Sequence, residues 1–162
     1  MRRAQLVLAV CALVALTVVA TAGATTKPRK DIVQTASGAG QFKTLTSLLK
    51  TAGLAKSLKG KGPYTVFAPT DAAFAKVPKS TLAALGKDKA KLRAVLLYHV
   101  VKGRLSAAKV AKLHSVRTLN GDKVRITVRA GKVRVGGARV TATDIGASNG
   151  VIHVLDRVLI PR

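Results

Sequence analysis

Ser148 is the residue whose sequence setting comes closest to a catalytic motif. It lies in Gly146-Ala147-Ser148-Asn149-Gly150, which matches the G-x-S-x-G nucleophile elbow, where a strand turns sharply into a helix and exposes a reactive serine. Here a strand-like segment follows instead. His153 and Asp156 lie on that same continuation and cannot fold back towards the serine. We therefore interpret the segment as a Gly/Asn/Ser loop, and a weak hydrolase remains only an alternative function.

Residues that bind metals are scarce and dispersed along the chain. All six acidic residues are Asp, and their spacing forms no local carboxylate cluster for a hard cation. The single cysteine excludes a cysteine-rich zinc site and an internal disulfide. The histidines, His99, His114 and His153, show no i,i+4 pairing of the kind that binds a metal on a helix. We predict no metal site, no cofactor and no enzymatic activity.

Positive charge is the strongest chemical signal in the sequence. The 162 residues include 29 Lys and Arg against 6 acids, which gives a formal net charge of +23. Cations alternate with apolar residues in two consecutive strand-like segments, so a hairpin in register would place them on one face. The four residues of this predicted face are Arg125, Arg129, Lys132 and Arg134. We expect its partners to be anionic polysaccharides, anionic cell-wall polymers or anionic lipid surfaces.

Nucleic acid is the alternative partner that the charge suggests. Charge alone would give salt-sensitive binding without sequence preference. The aromatic residues all fit core positions, which leaves no platform for stacking bases. They are Phe42, Tyr64, Phe67, Phe74 and Tyr98. We therefore rank nucleic acid below anionic polymers. A surface protein is a further candidate partner. We expect the protein to be a monomer.

The N-terminus is typical of a secretory leader. Arg2 and Arg3 precede the uncharged apolar run Leu6–Ala20, and Ala22-Gly23-Ala24 fits a small-x-small cleavage site. We predict a signal peptide over residues 1–24, a linker over 25–30 and one domain over 31–162. An uncleaved membrane anchor stays open as an alternative, although the run is shorter than the ~20 residues that span a bilayer. The expected location is secreted or surface-associated, in the extracellular space or the periplasm.

The domain itself is predicted to place its helices first and its strands second, which is an α+β order. Helix caps are expected at Asp31, Thr70, Ser80, Asp88 and Ser106. The two longest helices are predicted over about 41–52 and 89–101, each with apolar residues at helical spacing. Short strands should follow from residue 116, and the segment 151–160, apolar on both faces, should be an interior strand.

Three segments of the sequence resemble the signatures of one family. Thr65–Phe74 (TVFAPTDAAF) and Asn149–Pro161 (NGVIHVLDRVLIP) are similar to the two signature segments of the fasciclin, or FAS1, domain family. Leu97–Val101 is similar to the tyrosine-histidine segment that lies between them. The order and spacing match as well, and the chain most resembles the secreted single-domain members of bacteria.

Membership would imply N-terminal helices packed on a β-sandwich or wedge of antiparallel and mixed strands, and adhesion or matrix binding rather than catalysis. In animal members the tyrosine-histidine segment and an Asp-Ile pair are linked to integrin binding. The matching positions here are Tyr98, His99, Asp144 and Ile145. For these four we favour a structural role, because helical spacing directs His99 to the core. Four further signature residues are expected to define the fold: Thr70, Asp71, Asn149 and His153.

Overall fold

The computed structural model describes residues 30–161. The predicted leader, residues 1–24, and all of the predicted linker except Lys30 lie outside the described residues. Within the described part of the chain, no helix combines the length and the apolar character needed to cross a bilayer.

Short helices dominate the first half of the described chain. They are α1 (Ile32–Gly38), α2 (Lys43–Thr51), α3 (Leu54–Leu58), α4 (Asp71–Ala75), α5 (Lys79–Lys87), α6 (Lys89–Tyr98) and α7 (Ala107–Lys112). The strands are β1 (Tyr64–Pro69), β2 (Val100–Lys102), β3 (Ser115–Arg117), β4 (Lys123–Arg129), β5 (Lys132–Val135), β6 (Ala138–Ala147) and β7 (Gly150–Leu155). The predicted α+β class is confirmed.

The strands form one mixed sheet in the order β2-β1-β7-β6-β5-β4-β3. Strands β1 and β7 run parallel, and the other neighbouring strands are antiparallel. The two end strands approach each other, because Val101 bridges Thr118 and the amide of Leu119 donates to the Val100 carbonyl at 2.8 Å. The sheet therefore curls until its two ends meet.

The central pair, β1 and β7, separates two hydrophobic cores. Val66 and Ile152 face the core built with the helices, whereas Phe67 and Leu155 face the core enclosed by the curled sheet. All six residues of β7 are buried, as expected for a strand covered on both faces. The strand is shorter than predicted: it ends at Leu155, because the Asp156 carboxylate turns back to accept the Arg139 amide at 2.8 Å.

Predicted capping residues hold three of the helices. Asp31 forms a capping box with Gln34 at the start of α1, and Thr70 accepts the Ala73 amide at 3.2 Å at the start of α4. Asp88 accepts the amides of Ala90 and Lys91 at the start of α6. These three caps are confirmed.

The Asp71 carboxylate joins two helices. It lies in the first turn of α4, as predicted, and also accepts the Thr44 amide of α2 at 2.8 Å. This bond from Thr44, with weaker help from Lys43, lowers the pKa of Asp71 below its usual value. Thr70 and Asp71 therefore fix where α4 begins and how α2 docks beside it.

One predicted cap was wrong, and another occupies the predicted N-cap position without a side-chain bond. Ser80 lies inside α5, which begins earlier because the Pro78 carbonyl accepts the amides of Thr81 and Leu82. The Ser106 side chain makes no capping bond. The first turn of α7 is capped instead by Asp144, whose carboxylate accepts the Ala107 amide at 3.0 Å.

Helix boundaries differed from expectation in two further places. Helix α6 ends at Tyr98, and the next residues form β2, because Thr65 of β1 pairs with Val101 there. The short helix α3, Leu54–Leu58, was not predicted. It begins after Gly53, whose φ of 71° is the left-handed conformation that suits a helix-terminating glycine.

The Asn149-Gly150 turn fastens the start of β7 to the rest of the domain. The Asn149 side chain accepts the Ile32 amide at 3.0 Å and donates to the carbonyls of Leu58 and Gly60. A side chain at Gly150 would collide with the Tyr64 carbonyl of β1. Asn149 thus links α1, the end of α3 and the central strand pair, as its predicted fold-defining role requires.

We predict that Asn149→Ala lowers the free energy of unfolding by about 2 kcal/mol, because it takes the hydrogen-bond partner from two part-buried backbone groups, the Ile32 amide and the Leu58 carbonyl. Urea denaturation followed by circular dichroism measures the effect. Asn120→Ala is the matched control, since Asn120 bonds only the exposed Asp122 carboxylate and its loss should cost less than about 0.5 kcal/mol. Equal midpoints for the two variants would contradict the role assigned to Asn149.

Candidate functional site

The β4–β5 hairpin carries the predicted cations on one face. Thr127 lies opposite Arg134, and Arg129 lies opposite Lys132. Arg125 shares this face, because it precedes Thr127 by two positions on the same strand. All four predicted cations are exposed. The opposite face of the hairpin is packed into the core through Val124, Ile126 and Val135.

Neighbouring strands extend this basic surface. Arg117 of β3 lies opposite Lys123 of β4, and Arg139 of β6 lies opposite Arg134 of β5. Residues directly opposite each other in a sheet point to the same side. The resulting surface is the cationic face: Arg117, Lys123, Arg125, Arg129, Lys132, Arg134 and Arg139.

Like charges stand directly opposite each other on the cationic face. The pairs are Arg117 with Lys123, Arg129 with Lys132, and Arg134 with Arg139. Directly opposed like charges destabilise a sheet, by a few tenths to about 1 kcal/mol for each pair. Packing alone gives no reason for such an arrangement.

Five of the six carboxylates accept backbone amides. Four of them accept backbone amides at helix starts: Asp31, Asp71, Asp88 and Asp144. The fifth, Asp156, accepts the Arg139 amide and forms no ion pair. Within residues 30–161, the one salt bridge joins Lys91 to Asp88, at 3.6 Å. Among the described residues, no side chain of the cationic face is held in a salt bridge, although Asp122 directly precedes Lys123 in the chain.

A groove adjoins the cationic face where β4 meets the C-terminal segment. Its volume is about 620 Å³, and we call it the Tyr98 groove. Its walls are Tyr98, the β4 residues Lys123, Arg125 and Thr127, the neighbouring Asp122, the Gly136-Gly137 turn, and Leu159 with Ile160. Gly136 has a φ of 57°, and a side chain there would press on Leu159. Arg125 is the predicted binding residue that belongs to both the face and the groove.

The tyrosine-histidine segment divides between core and surface. His99 is only 2% exposed, and both of its ring nitrogens are bonded. Nδ1 donates to the Val95 carbonyl at 2.7 Å, and Nε2 accepts the Leu159 amide at 2.9 Å, so the ring is neutral. Tyr98 is half-buried and lines the groove. Tyr98 therefore packs against the core enclosed by the sheet, as expected, and also lines the groove.

The Asp-Ile pair lies away from the groove, in an irregular stretch of β6. Asp144 has a φ of 55°, and its side chain caps α7 while its amide donates to His153 Nδ1 at 3.4 Å. Ile145 is half-buried against the helical core. Both residues therefore make contacts that stabilise the fold, and these contacts account for their presence without a binding partner.

His153 is a core residue, as its apolar setting predicted. It is 1% exposed, its ring stacks on Phe67 with the ring centroids 5.6 Å apart, and Nε2 donates to the Leu105 carbonyl at 2.7 Å. Its imidazole is therefore not free to act as a base for the exposed Ser148. Within the described residues, no three His, Cys, Asp or Glu side chains gather closely enough to hold a metal ion.

Comparison with known proteins settles the family. The family model of the Fasciclin domain matches residues 40–161. The chain belongs to the fasciclin family. It is 44% identical over 140 residues to Protein sll1483 of Synechocystis sp., an alignment that covers 85% of this chain and 77% of that protein.

Two further fasciclin relatives carry informative names. A Mycobacterium bovis protein named "Cell surface glycolipoprotein MPB83" is 33% identical, covering 80% of this chain and 60% of that protein. The solved FAS1 domain pair of the insect cell adhesion molecule Fasciclin I aligns with a TM-score of 0.59 at 25% identity, over 75% of this chain and 46% of that one. The fasciclin fold is thus shown, and fasciclin proteins are an adhesion-related family.

Sequence reasoning found part of this fasciclin site and missed the rest. The period-two alternation located Arg125, Arg129, Lys132 and Arg134. The contribution of Ile160 to a groove was missed, because that residue reaches β4 only after the chain has folded. The sequence also holds no signal that would place Asp122 in the same groove as Tyr98.

We predict that the burial of His99 makes stability depend on pH. Burial lowers its pKa to about 4, against the opposing effect of the bond to the Val95 carbonyl. The unfolded chain, with a histidine pKa near ~6.5, therefore binds more protons between these values. Stability should be complete above pH ~6.5 and fall by about 1 kcal/mol per pH unit as the pH drops towards 4.

Urea denaturation at several pH values between neutral and mildly acidic tests this. His99→Gln should flatten the slope, whereas the exposed His114 replaced by Gln should leave the slope as in wild type. A slope that is unchanged in His99→Gln would contradict the assignment.

We predict that Lys132→Glu raises stability at low salt, because it turns a repulsive pair with Arg129 into an attractive one. The expected gain is roughly 0.2–1 kcal/mol, measured by urea denaturation. Lys132→Gln, which only removes the repulsion, should fall between wild type and Lys132→Glu, and added salt should narrow the differences. A Glu variant less stable than the Gln variant at low salt would refute the repulsion.

Proposed function

We propose that this protein is a secreted or surface-associated, non-enzymatic interaction module that binds anionic polymers, foremost acidic polysaccharides, through the cationic face. Membership of an adhesion-related family supports the general role. The printed name of the mycobacterial relative, a cell surface glycolipoprotein, supports the location.

The observation that carries the proposal is the set of like-charge pairs on one exposed sheet face. The fold bears repulsion between Arg129 and Lys132 and between Arg134 and Arg139, and among the described residues no salt bridge to these four side chains offsets it. A bound polyanion would supply the missing counter-charge and contact several cations at once. Such binding is multivalent and steered by a net positive field, and salt weakens it.

The proposal of a binding role rather than catalysis rests on the state of the candidate groups. Ser148 has no histidine base nearby in sequence other than His153, whose two ring nitrogens bond Leu105 and Asp144 inside the core. Nucleic acid is the weaker alternative partner. The three Phe side chains are buried, and Tyr64 and Tyr98 are only partly exposed, whereas single-stranded binding uses several stacked bases.

We predict that alanine at Arg125, Arg129, Lys132 and Arg134 abolishes retention on an acidic polysaccharide column at low salt. Wild type should be retained and should elute before about 0.5 M salt, where the screening length falls to a few ångströms. The matched control replaces four exposed helix-side lysines by alanine: Lys50, Lys56, Lys59 and Lys89. It has the same net charge and should stay bound.

Three results would count against the proposal. Equal loss of binding in both quadruple variants would show that net charge, not the cationic face, is responsible. Retention that high salt does not change would exclude electrostatic binding. Binding to DNA with no binding to acidic polysaccharide would favour the alternative partner.

A further inference from the structure

The Tyr98 groove combines groups that a simple polyanion site does not need. Its cations, Lys123 and Arg125, belong to the cationic face, but Asp122 places a carboxylate beside them. Asn120 orients this carboxylate by donating to Oδ2 at 2.7 Å. The Asp122 backbone carbonyl, rather than its side chain, accepts the bonds from Thr118. Among the described residues, no hydrogen bond is made to the other carboxylate oxygen, Oδ1, which leaves it open to a ligand.

The apolar wall of the groove has a shape and chemistry that suit a sugar ring. Tyr98 is half-buried, and Ile160 is 49% exposed, the highest value among the exposed large hydrophobic residues of residues 30–161. A pyranose has an apolar face of C–H groups and a polar rim of hydroxyls. An aromatic or aliphatic wall can cover the first, while Thr127 and the Asp122 carboxylate can bond the second.

Resting on the proposed function, we propose that the Tyr98 groove is a subsite for a carboxylated sugar within an acidic polysaccharide chain. Arg125 pairs with the sugar carboxylate, which matches the planar fork of a guanidinium. Asp122 accepts sugar hydroxyls, and Tyr98 with Ile160 covers the C–H face. The carboxylate of Asp122 repels phosphate chains and nucleic acid, which offer few or no hydroxyls to compensate, so the groove supplies selectivity that the cationic face lacks.

A second groove shares a lining residue with the Tyr98 groove. Ile160 also lines this groove, of about 360 Å³, together with Arg157 and with Lys76, whose Nζ donates to the Asp156 carbonyl at 3.2 Å. A chain that leaves the Tyr98 groove over Ile160 therefore meets two further cations. This arrangement favours a polymer over a free sugar acid as the ligand.

Asp122→Ala provides a test with effects of opposite sign. The probes are oligogalacturonate, its neutral methyl ester, and polyphosphate of comparable charge, each titrated calorimetrically at low salt. Wild type should bind oligogalacturonate more tightly than polyphosphate. The variant should lose about tenfold in affinity for oligogalacturonate, since a hydrogen bond to a charged group is lost, and should bind polyphosphate more tightly.

Thr127→Phe fills the groove without changing any charge. Phe is well tolerated on an exposed strand, so the fold should be kept, which thermal unfolding checks. It should remove the preference for oligogalacturonate over polyphosphate. Thr143→Phe is the matched control, because Thr143 is also exposed on a strand but lies outside the groove, and it should behave as wild type.

The outcomes separate this inference from the proposed function. If Thr127→Phe and Asp122→Ala change neither affinity, or if wild type prefers polyphosphate, the sugar subsite is refuted while binding by the cationic face stands. If neither anion binds wild type, the proposed function fails as well. Tight binding of the neutral ester would refute the role of Arg125.

Discussion

The parallel pairing of β1 with β7 is the contact on which the rest of the domain depends. It brings Tyr64–Pro69 beside Gly150–Leu155 and puts one core on each side of the pair. Only a residue without a side chain fits at Gly150, against the Tyr64 carbonyl. Asn149 then ties the same point to α1 and α3 through backbone groups. Every other strand is positioned by extension from this pair, including those that carry the cationic face.

The scarcity of carboxylates links the architecture to the surface. Each helix start leaves backbone amides without partners, and an acidic side chain is one of the best groups to accept them. With six acids available, four are used in this way, and Asp156 anchors the end of β7. Charge on the sheet face is therefore independent of the interactions that hold the fold. Substitution of the surface cations would leave the helix caps intact. The capping carboxylates, in turn, are held by backbone amides and do not pair with the cations.

Sequence patterns predicted the features that depend on contacts between residues close together in the chain. Alternation in the β4–β5 hairpin, the Asp31 and Asp88 caps and the buried β7 were all readable, because neighbouring residues decide them. The errors have a common cause in contacts between distant segments. Asp144 replaces Ser106 as the cap of α7 across 37 positions of sequence. The Tyr98 groove likewise joins four separate stretches of chain, so its residues carry no shared spacing that a sequence pattern could show.

The meeting of the two sheet ends has a consequence for how copies of the domain can associate. An open sheet presents unpaired amides and carbonyls along its outer strands, and these can recruit strands from other molecules into fibrous aggregates. Here the bridge between Val101 and Thr118 turns each outer strand towards the other, and both strands are only three residues long. Another molecule could add a strand to either edge of the sheet only after the contact between the two end strands had opened. The curled sheet thus guards a protein without internal disulfides against a common route to aggregation.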